Sequence, residues 1–558
     1  MSTLFLGCAA VLVWRLFTLQ VNESDRFQRL AADERRAQLP LPARRGALLD
    51  TNGSPLAITV LYDAVWVNTP QVTDPEGVSQ KLAPVVGMPA VDVKALIAEG
   101  KGRPVMLKAR LSAAVSERVR ALKIPGVYME QAPAREYPDG SLAAQALGFV
   151  GSDFKGLGGV ELSYDAELAG KPGAVDTETD TSGQEITLGR RVLTPATEGS
   201  DLVLTLDRYV QRVAERLLNE AVVTNKARGG LIIVMEPSTG NIIAAASNPT
   251  FSLTDDVLYR PEQAGLYKST VVTDQYEPGS TMKLVTMASA IDEGLVSPGT
   301  TMLDNGTAVV GGSVIHNWDG AANGTITMTQ ILIKSSNVGT QWVAGQLGQD
   351  RFYQRIESFG FGQLTGIRLP GETTGSVRTP KSDGWSRVDL ATNAYGQGIA
   401  VTPVQMLTAI ASLANDGLMM QPRIVREVRN GAQPSAVPPT PIRQTVSPRT
   451  ARTLVQMMVE VANQEALLPM RIPGYQIALK TGTADTPTGT GYNLENTYAS
   501  VAAFLPAEDP KLAVLIRLDG PEKMYGGQTA VPVLKDLAKA LFDYYRIPPS
   551  LPIPARAR

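Results

Sequence analysis

The chain has 558 residues, of which 44% are hydrophobic, enough for about two to four domains with cores of their own. Its 52 Lys plus Arg nearly balance 54 Asp plus Glu, so no basic field exists to recruit nucleic acid. One cysteine, Cys8, excludes an intramolecular disulfide, and one histidine, His316, leaves too few nitrogen and sulfur ligands for a catalytic zinc.

Residues 3–21, TLFLGCAAVLVWRLFTLQV, are nearly continuously apolar, interrupted only by Arg15 close to the end. A spanning helix needs about 20 apolar residues, and an arginine near one end can snorkel to the interface. The stretch therefore reads as a single membrane anchor. A cleaved signal peptide lacks its basic start and its small-x-small cleavage site here, and lipid attachment at Cys8 lacks a long enough apolar run before it. A buried core helix is the remaining alternative. No Lys or Arg precedes the stretch, so the positive-inside rule gives it no direction.

A polar, helix-prone segment follows (residues 23–38), then LPARRGALLDTNGSPLAI (residues 41–58), where Asn52-Gly53 between apolar runs marks a tight turn flanked by short strands. Residues 69–133 alternate helical and strand patterns, and residues 135–151 place another turn before a helix. The glycine-rich GLGGVELSYDAELAGKPG (residues 156–173) follows no βαβ pattern, so backbone turns are favoured over a phosphate cradle. From residue 201 a strand leads into a long amphipathic helix, and residues 229–249 form a hairpin around EPSTGN. KLAVLIRLDG and VPVLKDLAKALFDYY repeat the strand and helix at the far end. Strands bracketing a helical middle predict an antiparallel sheet covered by helices. The loop at residues 431–441 and the end of the chain are proline-rich and read as exposed connections.

In DQYEPGSTMKLVTMASA (residues 274–290) Pro278 and Gly279 precede a helical pattern that Gly294 ends, which sets Ser280 at a helix start. Residues three apart share a face, so Lys283 can take the Ser280 proton if desolvation or a neighbouring cation lowers its pKa from about 10.4. A Ser-x-x-Lys alone occurs about twice by chance in such a chain. It is joined by Ser335-Ser336-Asn337, read as part of an apolar helix, and by Lys480-Thr481-Gly482-Thr483 at the end of an apolar strand. Ser335 could relay a proton to the leaving amine, and Asn337 could hold substrate backbone. Lys480 offers a positive charge to a carboxylate and, if close, keeps Lys283 neutral. Gly482 would let a substrate lie along the strand edge. His316, in SVIHNWDG, reads as a turn or surface residue.

This trio, with RRGALLDTNGSPLA, REYPDG, GLGGVELSYDAELAGKPG, LTLDRYVQ, EPGSTMK, KSSN, AYGQGIAVTPVQ and KTGTA in the same order, resembles the class B penicillin-binding proteins over almost the whole chain. The resemblance implies an α+β protein with a single-pass cell-membrane anchor (residues 1–21) and a mixed α/β pedestal of the dimerisation type (22–195). A penicillin-binding/β-lactamase-like transpeptidase domain (196–547), lying outside the cytoplasm, and a disordered tail (548–558) would follow. It implies a D,D-transpeptidase that cross-links peptidoglycan, with Ser280 attacking a D-Ala-D-Ala stem peptide. Lys283 would be the base, Ser335 the relay and Asn337 a substrate ligand. Lys480, Thr481, Gly482 and Thr483 would bind the carboxylate end, and the N–H groups of Ser280 and Thr483 would form the oxyanion hole. It implies no cofactor and no metal, β-lactams as inhibitors, and a polytopic membrane glycosyltransferase and other division proteins as partners.

YEPGSTMK, FGFGQLTGIRLPGE and YASVAAFLPAEDPKLAVLIRLDGP look more like the division enzyme, of FtsI type, than the elongation enzyme. Leu479, Asp485 and Thr51 depart from the family's usual glycine, glutamine and arginine and remove no catalytic group. An elongation transpeptidase, a β-lactamase or sensor sharing the trio, and a non-catalytic division scaffold are the competing expectations.

Overall fold

In a computed structural model, residues 2–27, 36–41, 43–178, 192–254, 260–431, 433–464, 467, 471–488 and 491–552 are described. Packing divides the chain into two units, one of residues 1–46 and 166–200, the other of residues 47–165 and 201–558.

In the first unit, the N-terminal helix Ser2–Phe17 runs into one π-helical turn, Thr18–Asn22. Its Phe5–Asn22 window has a mean hydropathy of 1.4 and is 0% buried, long and apolar enough to cross a membrane. The helix-prone segment 23–38 is only partly helical. Residues 28–35 lie outside the described residues, and Arg36–Leu41 is a strand. There, pairing with Gly173–Glu178, the middle strand of a three-stranded antiparallel sheet completed by Val192–Thr194, overrides local propensity.

The second unit starts with the expected turn. Leu48–Leu49 pairs antiparallel with Pro55–Asn68, and Asp50 Oδ1 accepts the N–H groups of Asn52 (2.8 Å) and Ser54 (2.7 Å) across the bend. Pro55–Asn68 continues between Pro104–Leu111 and Val127–Glu136, and helices Pro75–Val86, Ala90–Glu99 and Ala113–Ala121 close a core around Val65, Leu82, Val93 and Val119. Leu48–Leu49 also pairs in parallel with Asp201–Leu204, carrying this sheet on to Val425–Asn430. Among the glycines of 156–173, Gly159 packs backbone on backbone. A Cβ there would lie 2.5 Å from the Ala146 carbonyl oxygen, so this part of the stretch serves close packing.

The remaining strands build one five-stranded sheet. In chain order they are β1 (Gly229–Glu236), β2 (Asn241–Asn248), β3 (Ala478–Thr488), β4 (Gly491–Leu505) and β5 (Leu512–Asp519). Their spatial order is β2-β1-β5-β4-β3, antiparallel throughout, with β3 at the edge. Residues 231–235 and 512–518 are buried without interruption, the signature of a sheet covered on both faces. Helices α1 (Arg208–Thr224) and α7 (Gly526–Tyr545) pack together on this sheet. The site helices are α2 (Lys283–Asp292), α3 (Met328–Lys334) and α4 (Asn337–Ser358), followed by α5 (Pro403–Leu413) and α6 (Pro448–Ala462). Every residue of α5 is buried, because it lies in the centre of this layer against the sheet and α6.

Three expectations need correction. Ser335-Ser336-Asn337 is not helix interior but the break between α3 and α4. Lys480–Thr483 lies near the start of its strand, since pairing with β4 carries β3 on to Thr488. The tail was expected to be disordered from residue 548, yet the N–H groups of Ser550 and Leu551 donate to the Gly474 carbonyl at 2.9 and 3.1 Å. Residues 553–558 lie outside the described residues.

Candidate active site

Ser280 sits in a 3₁₀ turn, Gly279–Thr281, that leads directly into α2. The turn is clamped on both sides. Gly279 has φ +53°, and a Cβ on it would lie 2.7 Å from the Thr483 carbonyl oxygen on β3. On the other side its N–H donates to the Gly396 carbonyl at 3.0 Å, and a Cβ on Gly396 (φ +87°) would lie 2.2 Å from the Gly279 oxygen. Glycine at both positions is what lets three backbone segments converge on the serine. The Thr281 hydroxyl donates to the Pro278 carbonyl at 2.7 Å, and Glu277 Oε1 accepts the Gly398 N–H at 2.9 Å.

Ser335 ends α3 in the left-handed conformation, φ 54° and ψ 39°. For a residue with a Cβ this costs on the order of 1–3 kcal/mol and persists only where the surroundings enforce it. The conformation turns both oxygens of Ser335 toward Lys283. Lys283 Nζ donates to the Ser335 carbonyl at 2.5 Å, contacts Ser335 Oγ at 3.3 Å and donates to Asn337 Oδ1 at 2.8 Å. Ser335 Oγ in turn lies 2.8 Å from Ser280 Oγ and receives Lys480 Nζ at 3.0 Å. Lys283 Nζ is thus linked to Ser280 Oγ through the Ser335 hydroxyl. The Ser335 hydroxyl contacts both Ser280 Oγ and the Lys283 amine, because the left-handed turn places it there.

Lys480 Nζ also donates to the Thr481 carbonyl at 2.9 Å. Thr481 and Thr483 present half-buried side chains on the edge strand. Gly482 also permits close packing. A Cβ there would meet Ser500 Oγ at 2.4 Å and the Pro278 carbonyl at 3.2 Å, so the missing side chain seats β3 against the serine turn. The structure therefore gathers Ser280, Lys283, Ser335, Asn337 and Lys480 into one hydrogen-bonded cluster, with Thr481, Gly482 and Thr483 continuing along its edge.

Both lysines are buried, at 0% and 1% exposure, whereas Ser280, Ser335 and Asn337 remain half-exposed. Burial, and then the charge of Lys480, holds the Lys283 ammonium well below the usual lysine value, against the opposing attraction of Asp304. Burial pushes Lys480 down to about 7.

Sequence reasoning missed a second layer. Asp304, at the end of the strand Thr301–Asp304, accepts from Asn317 Nδ2 at 2.9 Å on each oxygen and from the Ser336 hydroxyl at 2.7 Å. Asn317 Oδ1 accepts the N–H groups of Asn337 (3.0 Å) and Val338 (3.2 Å). Burial pushes the Asp304 carboxyl up, but hydrogen bonds from Ser336, Asn323, Asn317 and the Gly306 N–H outweigh it and hold it below the usual range. His316 is exposed at the end of the strand Ser313–His316, and only its carbonyl serves the site, accepting Asn337 Nδ2 at 3.0 Å. Among the described residues no group of three or more His, Cys, Asp or Glu side chains could hold a metal ion.

Known proteins resemble this chain in sequence and fold. Residues 230–539 match the penicillin binding protein transpeptidase domain, and residues 40–204 match the penicillin-binding protein dimerisation domain. Stage V sporulation protein D of Bacillus subtilis is 32% identical over 94% of this chain and 82% of its own length. The peptidoglycan D,D-transpeptidase FtsI of Escherichia coli is 30% identical over 95% of this chain and 89% of its own. The crystal structure of penicillin binding protein 3 from Mycobacterium tuberculosis, complexed with aztreonam, superimposes with a TM-score of 0.71 at 28% identity, covering 93% of this chain and 100% of that one. A transpeptidase match over more than half of the chain, joined to a dimerisation domain, makes it a member of the penicillin-binding proteins, class B, of the FtsI type.

Proposed function

We propose that the protein is a membrane-anchored peptidoglycan D,D-transpeptidase working through a serine acyl-enzyme in septal cell-wall synthesis. The observation that carries this is the chain Ser280 Oγ, Ser335 Oγ, Lys283 Nζ, with Lys480 on the same hydroxyl and both amines buried. In this reading the Ser280 proton passes through Ser335 to neutral Lys283 as Oγ attacks the carbonyl carbon of the penultimate D-Ala. The N–H groups of Ser280 and Thr483 hold the oxyanion, while Lys480, Thr481 and Thr483 bind the terminal carboxylate and Asn337 the substrate amide. When the C–N bond breaks, the proton returns through Ser335 to the departing D-Ala amine. An amine of a neighbouring stem peptide then attacks the acyl-enzyme and frees Ser280.

The helix at Phe5–Asn22 supports the anchor, and peptidoglycan as substrate supports a catalytic domain outside the cytoplasm. Function divides as anchor 1–21, pedestal 22–195 and transpeptidase 196–547, with a polytopic membrane glycosyltransferase supplying the glycan strands. A relative named for sporulation supports a second reading, the same chemistry in a specialised wall.

Labelling with a fluorescent penicillin, followed over time in the intact protein and in Ser280→Ala, tests the chemistry. A stable adduct absent from the variant is the expected result. Rapid loss of label would indicate a β-lactamase, and no adduct at all would indicate a scaffold. Imaging of the tagged protein tests the septal role, which predicts signal confined to division sites.

A further inference from the structure

Asp304 is fully buried, and a buried carboxylate is tolerated only when its lone pairs are filled. Four residues fill them: the Gly306 N–H at 2.8 Å, Asn317 Nδ2 at 2.9 Å, Asn323 Nδ2 at 2.7 Å and the Ser336 hydroxyl at 2.7 Å. Two of these lead to the reacting groups. Ser336 also caps α4, its Oγ accepting the Gly339 N–H at 2.7 Å, so Asp304 fixes where that helix begins. Asn317, turned by Asp304, spends its own oxygen on the N–H groups of Asn337 and Val338. Neither Asp304 nor Asn317 hydrogen-bonds Ser280, Lys283 or Lys480, yet together they grip the two residues that follow Ser335.

We propose that Asp304 is a positioning residue for acyl transfer: acting through Ser336 and the Asn317 amide, it holds Ser335 in the left-handed turn that aims its carbonyl and hydroxyl at Lys283. This rests on Lys283 being the base for Ser280. Asp304 acts on the same lysine through charge. The charged groups facing Lys283 are Lys480 on β3 and Asp304, and they oppose one another, Lys480 favouring loss of the Lys283 proton and Asp304 favouring its retention. Asparagine at 304 would remove the charge and turn one oxygen into a donor facing the Asn317 and Asn323 amides.

The test is the second-order rate constant for acylation by a fluorescent penicillin, measured on full-length protein from about pH 5 to about pH 9. Asp304→Asn is expected to acylate at least about ten-fold more slowly at its optimum, with the acid limb of the profile moved to lower pH. Asn317→Ala, which keeps the charge, is expected to lose a similar factor with the limb in place. An Asp304→Asn protein with the wild-type rate at every pH, or a slowed one with an unmoved limb, overturns the proposal. If Asp304→Asn does not fold, Ser336→Ala decides: a slowed rate with an unmoved limb supports the grip, and a wild-type rate overturns it. A wild type that takes no more label than Ser280→Ala overturns the acyl-transfer reading itself, and this one with it.

Discussion

Ser335 Oγ contacts Ser280 Oγ and both lysine amines, so in the proposed reaction the proton crosses one hydroxyl. Lys283→Ala is expected to slow penicillin acylation about 10²–10⁴-fold, the usual worth of a positioned base; a rate within a factor of two would take the lysine out of that role. The pH dependence has two signs. With Lys283 as the proposed base, acylation should fail as the pH drops far enough to protonate it. In the proposed reaction Lys480 acts in its charged form, and burial pushes that amine down to about 7, so the rate constant should fall as pH rises through that value. Ser280, Lys283, Ser335 and Lys480 were legible in the sequence because each belongs to a short motif with a chemical reason. Asp304 and Asn317 were not, since they come from polar turn-rich sequence with no periodicity, and their partners Ser336 and Asn337 lie 32 and 20 residues away. The signal available was only an aspartate before Asn-Gly and an asparagine before Trp-Asp-Gly.

At the scale of elements, the break between α3 and α4 decides the site, and no propensity announces it. Ile331 to Ala344 reads as one apolar helix because the interruption is imposed by tertiary contacts from Asp304 and Asn317, not by glycine or proline. The left-handed Ser335 yields a prediction that separates strain from chemistry. Ser335→Ala and Ser335→Gly should both lose acylation, but the glycine variant should be more stable by about 1–2 kcal/mol in urea unfolding, because only glycine is relaxed at positive φ. Equal stabilities would mean the turn carries no strain. On the other flank of the serine, Gly396→Ala combines positive φ with a backbone collision at Gly279. A displacement of the serine turn by about 1 Å should cost on the order of 10²-fold in acylation. The hairpin of β1 and β2, the strand β5 and helix α7 were legible because turn residues and apolar periods agree there. The length of β3 was not, since pairing with β4 extends it.

For the molecule as a whole, a form beginning at Asn22 should stay in the supernatant after ultracentrifugation and acylate like the full chain; continued pelleting with lipid would reveal another membrane-binding surface. That form also suits stability measurements. Arg135 and Glu161 are paired at 2.7 Å with 1% and 0% side-chain exposure, so Glu161→Ala leaves a buried guanidinium without its carboxylate and should cost about 3–5 kcal/mol.

The lysines impose a cost of the opposite kind. Between about pH 7 and the ordinary lysine value near 10.4, the unfolded chain binds more protons at position 480 than the folded one, so wild-type stability rises with pH across that window. Lys480→Met should flatten the rise and melt higher than wild type at neutral pH while losing acylation.

With Lys283 as the base, one hydroxyl shared by two buried amines would also make the substrate a participant in arming the enzyme. A carboxylate arriving at Lys480 would favour the charged form of that amine, and that charge would hold Lys283 neutral. Ligands without a carboxylate would then bind to an unarmed serine, and discrimination against them would be felt in the speed of bond making as well as in affinity.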